Sequence, residues 1–355
     1  MSGGVTMGLI EEPAPLQAAE TLPARERVTN SLFRGLSTAF AWLTILLVFY
    51  IVVVIAVEAA PAIRRDGLDF LTGKIWDRNQ DLYGIRAHMW GTLYTSILAL
   101  IFGTIFGLAV AIFLSEGLLS SAVFNVLKLF GVQFHRVWGK LPEGIENVLK
   151  NLVQLLAAIP SVVYGLWGIY MVIPLIRPWC NWIHSGLSWM PFFSTDLSGP
   201  GVLPASLVLA IMILPTIAAI SQDALMAVPF RLREASYGLG ATRWETILAV
   251  TLPTARPGIF GAVVLAFGRA LGETMALAML AGNANEISLS LFSPANTLAA
   301  LLANNFGEAS TVRDRSVLMY AALVLLAITL LVNMLGAYLV QRPAAPALVR
   351  AGGKK

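Results

Sequence analysis

Charge is scarce in this chain of 355 residues: Asp, Glu, Lys and Arg together make up 12% of it, against about a quarter in an ordinary soluble domain. So few charges cannot clothe a soluble globule of this size. The hydrophobic share of 57% and mean hydropathy of +0.75 point instead to an all-α, polytopic membrane protein. Cysteine is reduced to Cys180, which excludes an intrachain disulfide and a paired-thiolate zinc site. His88, His135 and His184 are scattered, so neither metal ligands nor catalytic residues are expected. A Gly-x-x-x-x-Gly-Lys-Ser/Thr phosphate loop is missing as well, which argues against ATP hydrolysis by this chain. The net charge of +4 is not a nucleic-acid signal, because basic residues at span ends orient membrane proteins.

Long apolar runs are what the chain does have. A hydrocarbon core needs about 20 apolar residues, and spans are expected near 36–57, 92–114, 152–173, 202–221, 258–281 and 317–340. Residues 1–35 read as a cytoplasmic tail and 341–355 as another, with 36–340 as the six-span domain between them. Pro160 is expected to kink the third span, and Pro215 lies in the fourth. Gly103 and Gly107 give the second a small-residue packing face. Within the connector 115–151, the segment 122–138 alternates apolar and basic residues, as either a surface-lying helix or a solvated connector does, and the role of 119–144 is unassigned. Trp179, Trp182 and Trp189 suit a membrane–water boundary, with a ligand-binding role as the alternative. With the N-terminus inside, 15 of the 24 lysines and arginines fall on inner segments, which favours cytoplasmic termini.

That orientation sends 223–257 to the cytoplasm. There Arg231–Gly238 is expected to form a short helix, Gly240 a positive-φ break, and Ala241–Leu252 a second helix closed by Pro253. Such an elbow could enter a groove of another protein or be an ordinary amphipathic loop. The fifth span then carries Arg269 near its middle and Glu273 one turn further on. A charge at bilayer depth costs about 2.5–3.5 kcal/mol even on lenient scales. Two at helical spacing read either as a transport site, in which Glu273 holds Arg269 until an oxyanion competes for it, or as an ion pair that locks helices. Gly268 and Gly272 flank them at a spacing suited to close helix packing. Ser161, Thr274 and Asn283 are weaker candidates for neutral donors along such a path.

Glu234-Ala235-Ser236, three residues, Gly240, nine residues, Val250-Thr251-Leu252-Pro253 resembles the cytoplasmic EAA loop of bacterial ABC importer permeases. Ser236 and Val250 depart from the pattern by small changes in volume. GRALGETMALAMLAGN, ISLSLFSPANTLAALLANNFGEA and LVQLLAAIPSVVYGLWG are similar to the C-type (PstC) permease family of phosphate-specific importers. This resemblance implies a type I ABC importer fold in the bacterial inner membrane, inorganic phosphate as substrate, and Arg269 and Glu273 on its path. It also implies an ATP-binding subunit, in two copies, docked on Glu234, Ala235, Ser236, Gly240, Leu252 and Pro253. ATP and Mg would belong to that partner, leaving no cofactor in this chain. A homologous A-type permease would complete a heterodimer, and a periplasmic phosphate-binding protein would meet 288–316, where Asn304, Asn305 and Glu308 are candidates. Permeation of sulfate or molybdate is the neighbouring alternative. A gradient-driven anion transporter is the distant one, and an EAA-like loop has no purpose in it.

Overall fold

In the computed structural model, residues 24–116 and 141–341 are described. The chain divides into two compact units, one ending at Val54 and the other running from Ile55. Among the described residues, six helices are long and apolar enough to cross a membrane. In order, the helices are α1 (Ala24–Asp66), the single turn α2 (Asp69–Thr72), α3 (Arg86–Ser115) and α4 (Leu141–Ala158). They continue as α5 (Ser161–Leu187), α6 (Val202–Met226), α7 (Phe230–Gly238) and α8 (Arg243–Leu271). The last are α9 (Met275–Leu280), α10 (Leu298–Phe306) and α11 (Val312–Gln341). A two-residue hairpin, β1 (Trp76–Asp77) with β2 (Leu82–Tyr83), joins α2 to α3.

The spine of the second unit is the pair α3 and α6. A Cβ on Gly103 would lie 2.9 Å from Ile213 and one on Gly107 would lie 2.9 Å from Ile217. Without side chains there, each isoleucine seats directly on the α3 backbone, and dispersion contacts rather than water exclusion hold the two helices together. Both registers advance in the same direction, so α3 and α6 run parallel. Their starts share one end of the unit with the 288–297 loop, where Leu203 N–H donates to Leu291 O at 2.7 Å. Their far ends, with the start of α8, enclose a small core of Ala111, Leu225, Val228 and Ala255.

Several expected boundaries shift for physical reasons. The third span, expected at 152–173, straddles a break. Pro160 sits at the N-cap of α5 with extended ψ of 139°, so the residues on either side of it belong to two helices, α4 and α5. Helix α5 then extends to Leu187, which puts Trp179 and Trp182 on a helix rather than in a loop. The fifth span, expected as one helix over 258–281, ends at Leu271 and resumes at Met275. Pro253 does not close a helix either. It lies inside α8 directly after a π-turn at Ile247–Thr251, and a widened turn is one way to continue past a residue that lacks an N–H. Residues 1–23, 342–355 and most of 119–144 lie outside the described residues, so the tail and connector expectations there gain no structural counterpart.

At the α3-start end, an ionic network anchors the hairpin. Arg313 donates from Nη1 and Nη2 to the two oxygens of Asp66 at 2.7 and 2.8 Å and from Nε to Asp81 at 3.2 Å. Arg65 also pairs with Asp81, and Tyr83 donates to Asp314 at 3.1 Å. The Arg313 hydrogen bond, against opposition from burial, holds the Asp81 carboxyl below the usual carboxylate range. Burial and the Asp314 carboxylate push Tyr83 up to about 12. A lowered acid contributes stability above its unfolded pKa and loses it as pH falls through its folded value. Protection of the amides across 76–83, taken relative to their intrinsic exchange rates, is therefore expected to fall below about pH 4, and Asp81→Asn is expected to exchange faster at neutral pH while losing part of that response. Equal exchange by both proteins at neutral pH would contradict the anchoring role.

Candidate functional site

Arg269 occupies the last turn of α8, and its side chain opens onto a cavity of about 430 Å³ lined by Thr216, Leu265, Gly268, Arg269 and Asn333. Thr216 stands near the middle of α6 and accepts a hydrogen bond from Arg269 Nη1 at 3.3 Å. Asn333, on α11, faces Gly268, where a Cβ would lie 2.7 Å from its Oδ1. Gly268 thus sets the distance between α8 and α11 at the cavity wall. No carboxylate among the described residues lies within ion-pair reach of Arg269. A guanidinium has five N–H donors, and the bond to Thr216 leaves the others for the cavity. Permanent charge from Arg269 beside the neutral polar groups of Thr216 and Asn333 is a donor set that suits a tetrahedral oxyanion.

The expected pairing of Arg269 with Glu273 is corrected. Residues four apart share a face only along a continuous helix, and α8 stops between these two. Gly272 N–H and Glu273 N–H bond to the carbonyls of Arg269 and Ala270 at 3.2 and 3.3 Å in a closing turn. The Glu273 carboxylate makes no ion pair among the described residues. A Cβ on Gly272 would meet only carbonyls of its own turn, at 3.8 and 3.9 Å, so Gly272 is not pressed by another helix of this chain. Gly268 packs, but against α11 of the same chain. Thr274 turns its hydroxyl onto Gly272 O at 3.1 Å. Asn283, left-handed at φ 53°, donates to Ala278 O and accepts from Asn304 at 3.1 Å. Ser161 opens α5. None of Glu273, Ser161, Thr274 and Asn283 lines the Arg269 cavity.

Thr216 and Asn333 were not foreseen from sequence. Thr216 follows Pro215 inside an apolar helix and Asn333 interrupts another, so a polar residue within a span was the available signal. Neither alone says that it faces an arginine.

At the opposite end from the hairpin, α7 and the start of α8 form an elbow. Gly240 takes φ +85°, a region that a side chain would strain, and open space surrounds it, with nothing within 4 Å of where a Cβ would stand. Thr242 and Glu245 form a reciprocal capping box that starts α8. Around this break the elbow leaves Phe230, Tyr237, Leu239, Trp244 and Leu248 exposed, Leu239 at 90%. Glu234, Ala235 and Gly240 are exposed as well, while Ser236 bonds Thr246 across the elbow at 2.9 Å. Leu252 and Pro253 lie just inside α8, on the far side of the π-turn. Apolar side chains so placed make a protrusion that suits a partner's groove.

The candidates in 288–316 are less uniform. Asn304 contacts Asn283, Asn305 donates to Leu301 O within its own helix, and Glu308 pairs with Arg78 at 3.6 Å.

A bundle of membrane-length helices, one of them broken just beyond an arginine that opens onto a cavity, together with an exposed helix–glycine–helix elbow, defines a transporter permease of the type I ABC importer class. The chain belongs to the family described as binding-protein-dependent transport system inner membrane component, whose model matches residues 139–344, more than half of it. It is 33% identical over 95% of its length to the phosphate transport system permease protein PstC of Mesorhizobium japonicum, covering 98% of that protein. The PstC of Pasteurella multocida is 35% identical, with 91% of this chain and 95% of that one covered. A probable PstC of Methanocaldococcus jannaschii is 32% identical over 80% of this chain and 85% of that one. In fold, the chain is similar to a chain of a bacterial alginate ABC transporter solved with its alginate pentasaccharide-bound periplasmic protein. That likeness has a TM-score of 0.56 at 17% identity and covers 89% of this chain and 96% of that one. The protein is accordingly a non-enzymatic, multi-pass transport subunit.

Proposed function

We propose that this chain is the permease subunit through which an ATP-driven importer moves inorganic phosphate into the cytoplasm. The observation that carries this reading is the Arg269 guanidinium, open to a cavity and with no carboxylate partner among the described residues, in a chain whose relatives at 32–35% identity are named phosphate transport permeases. Phosphate has between one and two negative charges at neutral pH, so a fixed positive charge lowers the electrostatic cost of its passage across a low-dielectric barrier. The substrate path runs past Arg269, Thr216 and Asn333, and a homologous permease of the A type closes the open side of the cavity.

The elbow built around Glu234, Ala235, Ser236 and Gly240 receives an ATP-binding subunit, two copies of which serve the heterodimer and hold ATP and Mg. A periplasmic phosphate-binding protein meets the hairpin end. The protein resides in the bacterial inner membrane with both termini in the cytoplasm, a reading supported by the distribution of lysine and arginine. The test is uptake of labelled phosphate by the assembled complex in proteoliposomes. Uptake is expected to require ATP and the binding protein and to persist in a large excess of sulfate. Sulfate transport at the same rate, or phosphate uptake that survives without any ATPase subunit, would overturn the reading.

A further inference from the structure

Glu116, the residue that ends α3, has a side chain only 7% exposed and lies between two arginines of the elbow. Arg233 of α7 donates from Nη1 to its Oε1 at 3.0 Å, and Arg243 at the start of α8 approaches its Oε2 at 3.8 Å. The second terminal nitrogen of Arg233 donates to Leu225 O, near the end of α6, at 2.7 Å. One nearly buried carboxylate therefore ties both arms of the elbow to the end of α3, and Arg233 extends the tie to α6. Among the described residues Arg233 Nε is buried without a partner, and the contacts of the guanidinium lie along its Nη1–Nη2 edge.

This junction leads to the cavity. α3 and α6 are in backbone-to-side-chain contact at Gly103–Ile213 and Gly107–Ile217, and those two isoleucines bracket Thr216, the hydroxyl that holds Arg269. Two helices packed this closely move as one body, because interiors at this density deform little. A displacement of the elbow that reaches Glu116 reaches Thr216 as well.

We propose that Glu116 is a positioning residue that latches the elbow to the α3–α6 pair, so that motion imposed on the elbow moves Thr216 relative to Arg269. The proposal rests on the reading that the elbow carries the ATP-binding subunit. Without the latch, the elbow swings on the Gly240 joint and the motion is absorbed there.

The assembled complex tests this by measuring phosphate taken up per ATP hydrolysed. Glu116→Gln keeps shape and removes charge; it is expected to leave assembly and ATP hydrolysis in place while the uptake-to-hydrolysis ratio falls roughly tenfold, within the 5–150-fold span of site–site couplings. Glu116→Asp is expected to recover part of the ratio, and the exchange Glu116→Arg with Arg233→Glu less, because the introduced guanidinium faces Arg243 and the introduced carboxylate cannot donate to Leu225 O. A ratio unchanged in Glu116→Gln, or uptake and hydrolysis falling in proportion, would overturn the latch. If Glu116→Gln does not assemble, Arg243→Gln, which removes only the longer contact, and the exchange pair carry the same comparison. Failure of all three to assemble would make Glu116 a folding residue and end the proposal. Leu239→Asp on the exposed elbow tests the underlying reading separately: a complex that still retains its ATP-binding subunit with that change would refute the docking, whatever the ratio in Glu116→Gln.

Discussion

Arg269→Gln is expected to cut phosphate uptake by about a hundredfold while the complex still assembles and hydrolyses ATP. The estimate follows from the loss of charged hydrogen bonds worth about 3 kcal/mol to the passing anion, which corresponds to roughly two decades in rate. The Gly268–Asn333 contact between α8 and α11 does not involve this side chain, so the packing of α8 survives and the defect is confined to transport. Arg269→Lys keeps the charge but loses the planar fork that matches an oxyanion, and should fall between the two, about tenfold below the parent. The reversal Arg269→Glu with Glu273→Arg is not expected to restore uptake, because α8 ends at Leu271 and the two side chains do not meet. Uptake near the parent level in Arg269→Gln would remove Arg269 from the path. Restoration by the reversal would bring back a direct pair with Glu273.

That pairing marks where sequence reasoning runs out. Membrane class, span count and the elbow were legible, because hydropathy and the spacing Glu234 to Pro253 are local properties of the chain. Arg269 stood out because a charge in an apolar run has few bland explanations. Its partner was not legible, since face-sharing at i and i+4 presupposes a helix that the Gly272–Thr274 turn interrupts. GRALGETMAL contains no proline, and Gly272 alone is an ambiguous breaker. Thr216, Asn333 and Glu116 depend on contacts between residues 53, 65 or 117 positions apart in the chain, which no periodicity encodes. The π-turn before Pro253 was equally hidden, for a proline in sequence announces a missing donor and not how the helix accommodates it.

The largest loss of folded protein is expected at Gly91. A Cβ there would lie 2.0 Å from the carbonyl oxygen of Asn296, well inside contact distance, and the obstacle is backbone rather than a side chain that could swing away. The next residue explains why the approach must be that close. Thr92 Oγ1 donates to His88 O at 2.7 Å and accepts from Leu298 N–H at 2.9 Å, so it joins the first turns of α3 to the N-terminus of α10. Any group that lifts α3 off the 288–297 loop breaks that bond and leaves a buried donor unmade. Overpacking costs typically 1–3 kcal/mol where neighbours can shift, and the lost hydrogen bond adds to it. Gly91→Ala is therefore expected to destabilise by about 3 kcal/mol or more, and Gly91→Val to yield almost no monodisperse protein. Gly186 provides the comparison. It lies in α5 with nothing within 4 Å of its Cβ position, so Gly186→Ala should be neutral or stabilise by up to about 1 kcal/mol. Thermal unfolding of the detergent-purified protein reads both. Coincident melting of Gly91→Ala and the parent would mean that α3 does not press on the 288–297 loop, and the parallel α3–α6 spine would lose its fixed end there.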